Sequence, residues 1–179
     1  AFAGDDIDAC NTQAFVSLSG TAENYDNISW STTGTGNFNS PFSLNTKYFM
    51  SYYDYLAGEV HLILTAESNL CGAVSDTLNL SLHKTPLADA GTDATICGDT
   101  SITLSEATVQ DATGVEWTTG GDGTFENPGE LNTSYIPGDL DIENGAVELC
   151  LTAFAVSPCA NATDCLMLTI QPLATVSVG

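Results

Sequence analysis

One spacing constrains this chain more than any other feature: it repeats itself 87 residues on. Cys10 recurs as Cys97, Trp30 as Trp117, Gly34 and Gly36 as Gly121 and Gly123, and Leu64-Thr65-Ala66 as Leu151-Thr152-Ala153. One residue inserted before Cys159 moves the offset to 88, and Cys71, Asp76 and Leu78 then match Cys159, Asp164 and Leu166. Self-similarity held over a whole domain length defines two structural copies, and it outranks any local motif. The copies are expected at 1–86 and 87–179, joined near Pro86. Gly4, Gly91 and Gly179 share one phase of the repeat, so the array is expected to continue in both directions.

Within each copy the apolar residues alternate. Val60, Leu62 and Leu64 oppose His61 and Ile63, and Leu78, Leu80 and Leu82 oppose Asn79 and Ser81. A period of two predicts strands buried on one face, and no 3.6-residue period is sustained anywhere. Strands are expected near 14–19, 28–32, 46–51, 59–67 and 76–83, with short ones before Cys10 and near 37–39. About seven strands and one central Trp per copy predict an all-β fold: two tandem immunoglobulin-like β-sandwiches, arranged end to end. Pro86 stiffens the link and like charge separates the copies, which predicts an extended rod.

The charge removes several function classes. There are 23 acidic residues against 2 basic ones, a net charge of −21, so nucleic acid and anionic membrane surfaces are excluded as partners. No run of about 20 apolar residues is present to insert into a bilayer. Catalysis fails on inventory. Arg is absent, the His residues are His61 and His83 alone, and repeat two has neither. Gly121-Asp122-Gly123 lacks the Lys and helix of a phosphate loop, and is read as a tight turn requiring positive φ. Asp139 and Asp141 are read as a solvated loop, and the chain as no enzyme.

Six cysteines predict disulfides and an oxidising compartment. Repeat equivalence suggests Cys10–Cys71 and Cys97–Cys159, one bridge per copy. Cys150 and Cys165 belong to repeat two alone and are placed for a bridge across its last hairpin. Zinc is disfavoured, because no Cys-x-x-Cys pair occurs. Calcium is the one ion worth carrying as an expectation. Asp5, Asp6, Asp89, Asp93, Asp139 and Asp141 fall in acidic clusters near the copies' starts and in one loop. Phe49, Tyr52, Tyr53 and Tyr55 form the one aromatic cluster suited to contact with an external surface.

The segments 90–97, Trp117 to Phe125, Leu131 to Pro137 and Gly145 to Ala153 carry a further signal. They resemble the immunoglobulin-like tandem repeats of giant Bacteroidetes cell-surface adhesins of the gliding-motility SprB type. Repeat one departs from that pattern at 48–53. The resemblance implies an extracellular, cell-surface filament exported by the type IX route. Its partners would be neighbouring repeats, external surfaces or polysaccharide, and a surface motility or secretion machinery. It also marks Asp76-Thr77-Leu78 as an O-glycosylation pattern, with Thr77 the acceptor. The competing expectation is a carbohydrate- or surface-binding accessory module of a large secreted protein.

Overall fold

The structure is a computed structural model, and it describes residues 1–173. The chain divides into two compact units. One comprises Ala1–Lys84 with Ser157–Cys159, and the other Thr85–Val156 with the chain from Ala160 onward.

The first unit is a two-sheet sandwich of seven strands. They are β1 (Ile7–Cys10), β2 (Phe15–Ser19), β3 (Asn27–Thr32), β4 (Asn37–Phe38), β5 (Asn45–Phe49), β6 (Glu59–Ser68) and β7 (Gly72–His83). One sheet runs β1-β7-β6-β3 and the other β2-β5-β4. β1 lies parallel to β7, with Cys10 opposite His83, whereas β6 and β7 form a long antiparallel hairpin. The alternation read from the sequence faces this core: Val60, Leu62, Leu64, Leu78, Leu80 and Leu82 are buried around Trp30. The Trp30 indole N–H, which could not be buried unpaired, donates to the Ser43 carbonyl at 3.0 Å.

A short helix, α1 (Tyr52–Ala57), follows β5. Six residues are too few to display a helical period, which is why the sequence does not announce it. Its signals are local. Ser51 caps the first turn through its side chain, and Gly58 closes the last at φ 77°, a left-handed conformation that suits glycine.

The second unit repeats this plan. It begins with β8 (Leu87–Asp89), β9 (Ala94–Cys97), β10 (Ile102–Leu104), β11 (Thr108–Gln110) and β12 (Gly114–Thr119). It continues through β13 (Thr124–Phe125), β14 (Thr133–Ile136), α2 (Asp139–Asn144), β15 (Ala146–Phe154) and β16 (Ala162–Gln171). Its main sheet runs β12-β15-β16-β9 and the facing sheet β10-β14-β13, with β8 paired to β11. β9 is again parallel to the last strand, placing Cys97 opposite Gln171. Trp117 is buried among Leu149, Leu151, Leu166 and Leu168. Strand order and burial together define immunoglobulin-like β-sandwiches.

Candidate functional site

Asp54 and Asp141 hold equivalent places in the two helices, and each is 1% exposed. The expectation of a solvated loop is therefore wrong for Asp141. A buried carboxylate must be hydrogen-bonded to be tolerated, and this one is saturated. Its Oδ2 accepts from Tyr135 Oη at 2.6 Å, Gly123 N at 3.0 Å and Gly138 N at 3.1 Å, while Oδ1 accepts from Asp122 N at 3.2 Å. In repeat one Asp54 accepts from Tyr48 Oη at 2.9 Å, Ser51 N at 2.8 Å and Thr35 N at 2.8 Å. Burial pushes the Asp141 carboxyl up, but the donors outweigh it and hold it below the usual carboxylate value. Asp54 is depressed for the same reason. Burial, then the hydrogen bond to Asp141, raise the Tyr135 phenol to about 12. Each constellation locks helix, strand and loop together, leaving no oxygen of Asp141 open to a cation or substrate.

The glycines of the two Gly-x-Gly stretches serve this lock. None of Gly34, Gly36, Gly121 and Gly123 is in the positive-φ region, which corrects the tight-turn reading. A Cβ on Gly123 would collide with Tyr135 Oη and the Ile136 carbonyl, and one on Gly121 with Asp141 Oδ1. Glycine is required for close approach, not for its turn conformation.

Most of the other acidic residues singled out from the sequence are occupied structurally. Asp6 accepts from Asn79 N and Asp93 from Met167 N, each at 2.8 Å, tying the chain ahead of β1 and β9 to the last strand. Asp89 accepts from Gly91 N at 2.9 Å. Asp5 is exposed, and so is Asp139 in the first turn of α2. Among the described residues no three of these carboxylates bring ligand atoms together. The one such group is Glu148 with Cys150 and Cys165, whose sulfurs are already bonded to each other.

The expected aromatic cluster is split. Tyr52 and Tyr53 stand on α1, 71% and 68% exposed, with rings edge to face at 5.8 Å. Tyr55 is half-buried and donates to the Gln13 carbonyl. Phe49 packs on Phe15 across β2 and β5 at 5.5 Å. Sequence reading missed an open groove lined by Tyr25, Asn27, Phe42, Asn45 and Glu67, where Phe42 is 79% exposed. Thr77 is exposed on β7.

The cysteines depart most from expectation. Cys150 and Cys165 face each other across β15 and β16 and are bonded. Cys10 is bonded not to Cys71 but to Cys159, 149 residues away in sequence, in the segment Ser157–Cys159 that groups with the first unit. Cys71 and Cys97 are exposed free thiols. The reason lies in the parallel pairing of the first and last strands. Cys10 stands opposite His83, whereas Cys71 precedes Gly72 at the other end of the 12-residue β7. At about 3.3 Å per residue they are roughly 35 Å apart, and a disulfide needs Cα atoms within about 7 Å. Cys97, opposite Gln171, is separated from Cys159 along the 10-residue β16 in the same way.

No protein-family model matches the sequence, and no curated protein matches it. Solved structures do. The insect immune protein hemolin aligns with a TM-score of 0.49 at 11% identity over 96% of this chain and 46% of its own. The human desmocollin-1 ectodomain aligns at 0.49 and 10% identity, over 94% of this chain and 40% of its own. The PKD domain of the KIAA 1837 protein aligns at 0.38 and 13% identity, over 46% of this chain and 83% of its own. The chain thus spans less than half the length of the hemolin and desmocollin-1 chains that it matches.

Proposed function

We propose that this chain is a non-catalytic, load-bearing tandem module of an extracellular adhesive filament. The observation that carries the reading is the Cys10–Cys159 bond. Tension enters a tandem module at one end of the chain and leaves at the other. A bond enclosing 149 of the 179 residues takes almost the whole chain out of that path. Only about 30 residues can then be drawn out, about 100 Å at full extension, against about 600 Å for the uncrosslinked chain. A segment that carries load without lengthening suits a filament that holds a cell against a surface. The two disulfides suit an oxidising, extracellular location, and the buried Asp–Tyr locks serve stability with no access for substrate. Export by the type IX route and a part in gliding motility remain tied to the resemblance in sequence.

Single-molecule stretching from tethers at the two ends tests this. Oxidised protein is expected to lengthen by no more than about 100 Å, and reduced protein to show two unfolding events of roughly 300 Å each. Long unfolding events without reductant would defeat the reading.

The groove between Tyr25 and Phe42 favours a second reading, a surface- or carbohydrate-binding module. Repeat two has Ala112 and Gly129 at those positions, so the aromatic pair is particular to repeat one. If the groove binds glycan, Phe42→Ala abolishes retention on a polysaccharide matrix without changing the melting temperature. Equal retention of the variant and the parent would remove this reading.

A further inference from the structure

We propose that the groove beside Phe42 selects a protonated amino sugar, a glucosamine-type unit of a cationic polysaccharide. This deepens the carbohydrate reading of that groove, on which it rests. The groove has a volume of about 810 Å³ and lies along the free edge of β3. Segment 41–45 forms one wall. The Trp30 backbone N–H donates to the Pro41 carbonyl at 2.7 Å, and its indole N–H to the Ser43 carbonyl at 3.0 Å. That wall is therefore fastened to a buried core residue, which fixes the shape of the site.

Its lining combines three kinds of group. Phe42 and Tyr25 present aromatic rings, 79% and 40% exposed. Asp26 and Glu67 add carboxylates from adjoining positions, since Asp26 N donates to the Glu67 carbonyl at 2.8 Å. Asp26 is held further by accepting from Asn69 N at 2.7 Å. Asn27 and Asn45 supply amides. The basic side chains, Lys47 and Lys84, line none of it. A sugar ring offers an apolar C–H face to an aromatic ring and hydroxyls to the amides. A free amino group on that ring is positively charged, and both carboxylates and aromatic faces attract it. The same groups repel an acidic or sulfated sugar. Repeat two has Ala112, Thr113, Gly129 and Phe154 in place of Tyr25, Asp26, Phe42 and Glu67, so the ring pair and both charges belong to repeat one alone.

A basic peptide carries the same charge, and the edge of β3 decides against it. A peptide that adds as a strand needs a run of open backbone groups. Outward-facing groups alternate along an edge strand, and the outward N–H of Trp30 is already taken by Pro41. Ile28, two residues earlier, is then the groove residue whose backbone faces outward, and one residue does not make a ladder.

Titration calorimetry on the whole chain tests this, at physiological salt to screen diffuse attraction to the acidic surface. The probes are an oligomer of β-linked glucosamine at a pH that keeps its amines protonated, its N-acetylated counterpart, and a lysine peptide of equal charge. The glucosamine oligomer is expected to bind at least about tenfold more tightly than the N-acetylated form. Phe42→Ala should weaken it about tenfold and Glu67→Gln about fivefold. Both side chains are exposed, so the melting temperature should not move. Equal affinity for the N-acetylated oligomer would overturn selection by charge and leave the carbohydrate reading standing. Failure of both oligomers to bind would remove the two together. A lysine peptide bound as tightly, with the same dependence on Phe42, would overturn the proposal in favour of a basic protein partner. Glucosamine binding untouched by both substitutions would overturn it as well, reducing the attraction to net charge.

Discussion

Replacing the Asp141 carboxylate by an amide leaves its shape and removes half its acceptor capacity, while four donors still point at it. Asp141→Asn is therefore expected to destabilise the second unit by about 3 kcal/mol, and Tyr135→Phe by about 1–2 kcal/mol, measured by denaturant unfolding. The linkage with pH has a definite sign. Asp54 and Asp141 titrate below their ordinary value when folded, so their contribution is complete above about pH 4 and is lost as pH falls further. Tyr135 titrates upward when folded, so its contribution is complete below about pH 10 and is lost as pH rises towards about 12. In Asp141→Asn the acid limb should flatten. A smaller exchange shows how the two copies solve one problem differently. Repeat one caps α1 with Ser51, whereas repeat two has Gly138 there and caps α2 from Asp122, which accepts from Leu140 N and Asp141 N at 3.2 Å each. Asp122→Ala should cost about 1 kcal/mol, a loss read as a lower midpoint of urea unfolding.

At the scale of elements, the strands were legible because burial on one face imposes a period of two that survives in Val60-His61-Leu62-Ile63-Leu64 and its equivalent. The helices were not, since α1 and α2 are single turns and a half whose caps carry the signal. The buried aspartates went unrecognised for a related reason. An Asp in a polar loop reads the same whether it is solvated or locked under a Tyr, and only the recurrence of Tyr48 with Asp54 as Tyr135 with Asp141 could have marked the pair. The cysteine positions were equally visible, but their pairing depended on the parallel β1–β7 and β9–β16 ladders, a non-local fact. Two element-level outcomes follow. Gly123→Ala should destabilise by about 1–3 kcal/mol through collision with Tyr135, visible as a lowered melting temperature. Removing the cross-hairpin bridge by Cys150→Ser with Cys165→Ser, 15 residues apart, should cost about 3 kcal/mol in the same assay.

For the molecule as a whole, two quantities organise behaviour: its charge and its covalent connectivity. At a net charge of −21 the folded chain repels itself, and any cation relieves this by screening. At that charge calcium is expected to act as a counter-ion. The melting temperature should then respond equally to calcium and magnesium at matched concentration, and a calcium-specific rise would revive a dedicated site. Connectivity carries more, since the mechanical bypass stands on one bond. Non-reducing peptide mapping after alkylation tests that bond most directly. The expected map joins Cys10 to Cys159 and Cys150 to Cys165, with alkyl groups on Cys71 and Cys97. Recovery of Cys10 joined to Cys71 and Cys97 joined to Cys159 would contradict it.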